Sequence, residues 1–184
     1  VESHDGLQLH GTHFHSPAAP LATVILCHGV GSCKENMYSI ADWLAGEGYE
    51  SIAMDMRGHG ESGGEYCTYG YYEKQDLSAL IDQLALDGTE QIVVLGISMG
   101  GAVAIQALDY DDRIDAAVAI STFSSLRGIA LDYQERITGL DWVWLNSFVA
   151  DRAEDMSGLV VDSVNVEAIC RRISKPVFIA HGSN

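Results

Sequence analysis

A serine flanked by glycines lies between a strand-like apolar run and a helix-forming run, and no other stretch constrains the fold as strongly. Residues 92–95 are Ile-Val-Val-Leu, residues 96–100 are Gly-Ile-Ser-Met-Gly, and small and aliphatic residues follow. Only glycine-sized neighbours let a strand and a helix approach closely around a sharp turn. The pattern predicts that Ser98 is a nucleophile raised clear of a sheet. The alternative is an ordinary glycine-rich turn that opens a buried helix.

A second glycine-rich loop follows another predicted strand. Residues 22–27 are apolar and run into His-Gly-Val-Gly-Ser at positions 28–32. The amide of Val30 in this loop, and the amide of Met99 in the first turn of the helix after Ser98, are predicted to be free to donate. Two backbone donors from separate loops form an oxyanion hole. Val30 and Met99 are therefore the candidate donors.

A third segment, Asp-Met-Arg-Gly-His-Gly-Glu-Ser at positions 55–62, also follows a predicted strand. Together the three segments resemble the α/β-hydrolase fold. More narrowly, they resemble the serine-hydrolase branch that holds monoacylglycerol lipase-like, serine aminopeptidase-like and Bem46-like hydrolases. The resemblance covers nearly the whole chain, apart from a stretch after Leu126. It implies that His28 shapes the oxyanion loop and that His59 and Arg57 fix the loop at 55–62.

Strand and helix patterns alternate along the chain, which predicts an α/β fold with a mostly parallel, doubly wound sheet. The resemblance divides the chain into a core at 1–123, a helical lid insertion at 124–172 and a return to the core at 173–184. An edge strand is predicted at 8–14, and buried strands at 22–27, 51–54, 91–95, 116–121 and 176–180. Helices are predicted at 37–47, ending at Gly48, and at 72–86, where Glu73 and Asp76 would stabilise the helix amino terminus.

The predicted lid carries a cluster of large apolar residues at 142–149. Trp142 and Trp144 are expected either to line a pocket for the acyl group of a substrate or to pack the lid onto the core.

The general base is the part of the expected site that this stretch of sequence does not supply. In α/β-hydrolases the catalytic residues follow in the order serine, acid, histidine. His181 is the only histidine after Ser98, and it lies in a segment, residues 176–184, that resembles the family segment just before the acid. We therefore expect His181 to be structural, and the acid, the histidine base and the C-terminal part of the fold to lie beyond Asn184.

Composition limits the partners. A net charge of −16 and an isoelectric point near 4.5 argue against binding to nucleic acid or to anionic membranes, because the negative field of the chain repels polyanions. No apolar stretch approaches the roughly 20 residues that span a bilayer. The expected partner is a small acyl substrate. Four cysteines without metal or redox spacing favour free thiols in the cytoplasm over a disulfide.

No metal site and no cofactor are expected. His13 and His15 have ligand-like spacing, but no cysteine or carboxylate lies beside them in the sequence and Pro17 ends the run. The glycines around Ser98 resemble a dinucleotide fingerprint only loosely.

The expected chemistry is hydrolysis of carboxylic esters or related acyl compounds through an acyl-enzyme on Ser98. Serine at this position disfavours haloalkane dehalogenase, epoxide hydrolase and dienelactone hydrolase chemistry, which use aspartate or cysteine. Two alternatives remain: a thioesterase, acyltransferase or peptidase with the same nucleophile, and a non-catalytic hydrolase core.

Overall fold

The computed structural model describes residues 1–139 and 143–182 and is built on a six-stranded sheet. The strand order is β1-β3-β2-β4-β5-β6. Strand β1 runs antiparallel to β3, and the other neighbouring pairs are parallel, as predicted. The strands are β1 (Gly11–Phe14), β2 (Thr23–Cys27), β3 (Glu50–Met54), β4 (Ile92–Ile97), β5 (Ala116–Ile120) and β6 (Val177–Ala180).

Helices follow the strands in the order that the sequence predicts. They are α1 (Tyr38–Gly46), α2 (Glu73–Leu86), α3 (Met99–Tyr110), α4 (Leu126–Thr138), α5 (Val143–Ser157) and α6 (Val166–Cys170). The predicted bounds of α1 and α2 differ from the observed ones by at most one residue at each end. Gly48 has a φ of 88°, the left-handed conformation expected just after α1.

The central strand β2 shows why helices cover both faces of the sheet. Successive side chains of a strand point to opposite faces. Ile25 and Cys27 belong to a core with residues of α2 and α3, whereas Val24 and Leu26 pack in a second core with residues of α1. All five residues of β2 are buried, so the strand is apolar throughout rather than alternating.

The region after β5 is helical, as the lid prediction requires. Helices α4 and α5 contact each other, and a separate apolar cluster holds them against the loop around Tyr69. Trp142 lies outside the described residues. None of the described helices combines the length and apolar character needed to cross a membrane.

Candidate active site

Ser98 occupies a sharp turn between β4 and α3. Its backbone has φ 54° and ψ −114°, which is an unfavourable region for a residue with a side chain. The Ser98 amide donates to the carbonyl of Ile120 at 2.8 Å, which ties the turn to β5. A Cβ atom at Gly96 would overlap the backbone of Gly100, and one at Gly100 would overlap the carbonyl of Cys27. The flanking glycines are therefore required by close backbone packing.

The backbone amides of Val30 and Met99 are the two predicted oxyanion donors. Within the ranges 1–139 and 143–182, neither the Val30 nor the Met99 amide hydrogen has an acceptor. Val30 lies in a turn in which the Ser32 amide donates to the Gly29 carbonyl at 3.2 Å. Gly31 has a φ of 70°, so the turn is of type II with Val30 at its second position. Val30, Ser98 and Met99 line one cavity.

Two histidines, His28 and His59, hold the loop at 28–32 in place. The buried ring of His28 contacts the Gly29 carbonyl through Nδ1 at 2.7 Å and accepts from the Met56 amide through Nε2 at 3.1 Å. Burial lowers the pKa of His28 below its usual range, which keeps Nε2 available as an acceptor. His59 Nε2 accepts from the Gly31 amide at 3.0 Å. Both histidines thus join the loop at 28–32 to the loop at 55–62, as the resemblance implies.

A buried ion pair between Asp55 and Lys34 stabilises the loop at 55–62. Asp55 accepts from the amide of Lys34 at 2.8 Å and from its Nζ at 2.7 Å, and from the Glu61 amide at 3.0 Å. Burial by itself would raise the pKa of the Asp55 carboxyl, but these hydrogen bonds and the Lys34 charge hold it below its usual range. Asp55 therefore stays ionised and joins Lys34, just after the loop at 28–32, to the loop at 55–62.

Glu73 and Asp76 bind specific partners rather than the free amides of their own helix. Asp76 forms a two-point ion pair with Arg57, at 2.7 Å to Nε and 2.5 Å to Nη2. Glu73 accepts from the Thr68 amide at 2.5 Å, the Thr68 hydroxyl at 2.7 Å and the Gly70 amide at 2.7 Å. The expected stabilisation of the helix terminus is thus replaced by side-chain-specific contacts, and their role is structural.

The cavity above Ser98 has a volume of about 720 Å³ and a mixed lining. His181, at the carboxyl end of β6, lines it but is exposed, and its Nδ1 contacts the Gly182 carbonyl at 3.1 Å. No hydrogen bond joins His181, or any other described residue, to the Ser98 hydroxyl. Helix α4 adds polar groups that the sequence did not point out, namely Asp132, Tyr133 and Arg136.

A second, smaller cavity of about 280 Å³ adjoins the first and is mostly apolar. Tyr69, Leu126 and Ala130 line both cavities, so they form the boundary between them. Tyr69 is held there because its carbonyl accepts from Gln106 at 2.7 Å and its ring packs edge-on to Phe123, with 6.2 Å between ring centroids. One face of α5 supplies much of the remaining lining: Asn146, Val149, Ala150, Ala153, Met156 and Ser157.

Trp144 lies on a different face of α5 from these lining residues. Trp144 is 69% exposed, and Phe148, one turn later, is 64% exposed. Trp144 lines neither of the two cavities. Residues 146, 150, 153 and 157 recur at the helical spacing of three and four and share one face, and residues 144 and 148 lie on the opposite side of the helix. The expected contact of Trp144 with substrate stays a prediction. The apolar density of the segment did not reveal which face of the helix turns inward.

A serine on a sharp, strained turn between a strand and a helix is typical of α/β-hydrolases, and the chain has this fold. Within that superfamily, the family described as "Serine aminopeptidase, S33" matches residues 18–166. The chain therefore belongs to this family.

Several known proteins resemble the chain over most of its length. The uncharacterized protein YqkD of Bacillus subtilis is 28% identical over 190 residues, covering 100% of this chain and 61% of the relative. Epoxide hydrolase B of Mycobacterium tuberculosis is 30% identical over 173 residues, covering 80% and 46%. The solved structure of the Pyrococcus furiosus esterase Pf2001 has a TM-score of 0.74 and 30% identity, covering 97% and 67%. The chain spans less than two thirds of both sequence relatives.

Proposed function

We propose that this chain carries the nucleophile and oxyanion hole of a serine hydrolase that cleaves carboxylic esters of small acyl compounds. The observation that carries the proposal is the pairing of a strained Ser98 with two amides, of Val30 and Met99, that have no acceptor among the described residues and line the same cavity. Likeness to an esterase of 30% identity supports the ester as substrate.

In the proposed reaction, Ser98 Oγ attacks the ester carbonyl carbon and loses its proton to a base. The Val30 and Met99 amides stabilise the negative charge on the carbonyl oxygen. The bond to the leaving oxygen then breaks, the base returns the proton to the departing alcohol, and an acyl-enzyme remains on Ser98. Water then attacks the acyl carbon as the base takes a proton from the water, the bond to Ser98 Oγ breaks, and the base returns the proton to Ser98 as the acid leaves. The chemistry requires no cofactor.

We assign the base to a histidine that follows this stretch of the chain. His28 and His59 use both ring nitrogens in loop contacts, and His181 contacts its own neighbour. None of these described imidazoles hydrogen-bonds Ser98. The four cysteines are free thiols, which suits the proposed location in the cytoplasm.

The acyl group is proposed to enter the smaller, apolar cavity past Tyr69, Leu126 and Ala130. Ala153 on α5 is a half-buried residue of its lining, and phenylalanine there would fill part of the space. We expect Ala153→Phe in the complete protein to lower kcat/KM for butyrate and hexanoate esters relative to acetate by about 10- to 200-fold. Trp144→Ala, on another face of the same helix, is the matched control and should leave this ratio unchanged.

The opposite result would assign the acyl group to a different surface of α5. If Trp144→Ala shifts the chain-length ratio and Ala153→Phe does not, the acyl group contacts the exposed face of the lid, as the sequence alone suggests.

Labelling with a fluorophosphonate tests the nucleophile directly, because this probe phosphonylates activated serines. We expect one probe per complete protein, located at Ser98 by peptide mass, with no labelling and no ester hydrolysis in Ser98→Ala. Ser124 lines the same cavity, and Ser124→Ala should label normally. Ester hydrolysis that survives in Ser98→Ala would refute the assignment, and absence of both labelling and hydrolysis would favour a non-catalytic core.

The family description favours a second reaction with the same nucleophile, namely hydrolysis of an aminoacyl amide. A panel of esters, thioesters and aminoacyl amides with a common acyl group, assayed with the complete protein, ranks these leaving groups by kcat/KM. We expect the ester to rank first. Preference for the amide by tenfold or more would assign a peptidase.

A further inference from the structure

Two histidines that are close in sequence, His13 and His15, meet the distant Glu50 where the edge strand β1 pairs with β3. His13 lies in β1, His15 lies one residue beyond its end, and Glu50 begins β3. Strands β1 and β3 pair antiparallel with Phe14 opposite Ser51, so residue 15 falls opposite residue 50. Since alternate residues of a strand share a face, His13, His15 and Glu50 project from the same side of the sheet.

The three side chains already converge on one point. His13 Nε2 and His15 Nδ1 each lie 2.9 Å from the same carboxylate oxygen, Oε1 of Glu50. The two imidazole centroids are 4.0 Å apart, and one ligand atom from each residue lies within 4.8 Å of the others. The Thr23 hydroxyl is 3.5 Å from the second oxygen, Oε2. This contact, from β2, orients the carboxylate toward the histidines.

We propose that His13, His15 and Glu50 bind a divalent transition-metal ion, with Zn²⁺ as the best match. Two imidazole nitrogens and one carboxylate oxygen are a common zinc donor set, and water completes four-coordination. The histidine side chains are 39% and 73% exposed, which gives an ion access, while the carboxylate is 19% exposed and held in place. The net charge of −16 draws cations toward the surface.

The position of the site defines its role. Glu50 begins the parallel strand β3, whereas Ser98 follows the end of the parallel strand β4. The two sites therefore lie at opposite ends of the parallel strands. The ion would join the edge strand β1 to β3 across the antiparallel pair. It therefore acts as a structural clamp on an edge strand and takes no part in the chemistry at Ser98.

Calorimetric titration of the chelator-treated complete protein with ZnCl₂ tests the proposal, with Co²⁺ absorption as a spectroscopic readout of ligand geometry. We expect one ion per chain and a rise in the thermal unfolding midpoint on adding Zn²⁺. His13→Gln, His15→Gln and Glu50→Gln should each weaken binding by at least about tenfold. His4→Gln, which removes another exposed histidine, is the matched control and should bind normally.

His15 is largely exposed, so His15→Gln is expected to fold and keeps the test interpretable. Its midpoint without metal should match that of the unsubstituted protein, and the rise on adding Zn²⁺ should disappear. The proposal is overturned if the protein binds no stoichiometric ion, or if His13→Gln and His15→Gln bind Zn²⁺ as tightly as the His4→Gln control. Ester hydrolysis is measured separately and should be unaffected in all three variants.

Discussion

At the scale of single residues, the site depends on backbone groups more than on side chains. Ser98 is held in an unfavourable conformation by glycines that cannot accept a Cβ atom, and the two proposed oxyanion donors are backbone amides. A type II turn places one of these amides, from Val30. Substituting a side chain leaves such a donor in place, so its contribution has to be tested through the backbone.

Proline at position 30 removes the amide hydrogen while suiting the second position of a type II turn. We expect Val30→Pro in the complete protein to lower kcat by about 10²- to 10³-fold with little change in KM, because one oxyanion donor is lost. Val30→Ala keeps the amide and should retain nearly full activity. Equal activity in the two variants, with both folded by circular dichroism, would place the oxyanion hole elsewhere.

His28 predicts a pH dependence of stability. Its pKa in the folded protein lies below the ordinary value of 6.5 because the ring is buried, so the unfolded chain takes up the proton first as the pH falls. The contribution of neutral His28 to the free energy of unfolding is therefore complete above about pH 6.5 and is lost as the pH falls toward the lowered pKa. Urea unfolding at pH 8, 6.5 and 5 measures it.

The comparison variant is His28→Gln, which should be less stable at pH 8 and should lose less stability than the unsubstituted protein between pH 6.5 and 5. His4→Gln, at an exposed position, should keep the original slope. An unchanged slope in His28→Gln would show that other groups cause the pH dependence.

At the scale of elements, strands were predictable from the sequence and the faces of the lid helices were not. The apolar run 22–27 gave the position of β2 to within one residue, because burial on both faces demands continuous apolar sequence. The run 176–180 also gave the position of β6, but the prediction that this strand is buried was wrong: β6 lies at the edge of the described sheet, and Phe178 and Ile179 are exposed. The inward face of α5 could not be predicted, since apolar residues lie on more than one face. The meeting of Glu50 with two histidines depends on strand pairing between residues 35 or more positions apart, which no local pattern reveals.

Glu73 provides a test of how α2 positions the boundary between the two cavities. Its carboxylate accepts three hydrogen bonds from Thr68 and Gly70, on either side of Tyr69. Glu73→Gln turns one acceptor oxygen into a donor that faces these donors, and a buried unsatisfied group costs about 1–3 kcal/mol. We expect that loss in urea unfolding, together with a weaker preference between short and longer acyl esters. Glu90→Gln removes the same charge from an exposed position and should change neither.

At the scale of the whole molecule, the described fold brings the proposed nucleophile and the proposed oxyanion donors to one cavity, and no described histidine hydrogen-bonds Ser98. The relatives YqkD and epoxide hydrolase B extend beyond the matched region, since the chain spans 61% and 46% of them. That the acid and the histidine base follow β6, in the order serine, acid, histidine, stays a prediction. The net charge of −16 also favours neutral substrates over fatty-acid anions.

The 184-residue chain alone should therefore hydrolyse p-nitrophenyl acetate far more slowly than the complete protein. Removing the base in subtilisin costs about 10⁶-fold in kcat, and a loss of similar order is expected here. Stopped-flow and steady-state assays of both proteins at equal concentration measure the ratio. An ordinary enzymatic rate from the 184-residue chain that disappears in Ser98→Ala would show that His28, His59 or His181 serves as the base.

The two histidines that join the loops at 28–32 and 55–62 have a practical consequence for engineering. His28 accepts from Met56, and His59 accepts from Gly31, so each loop supplies a group that the other needs. A chimera that takes only one of these loops from a relative would separate matched partners and misplace the Val30 amide. Recombination of this chain with its relatives should therefore exchange both loops together.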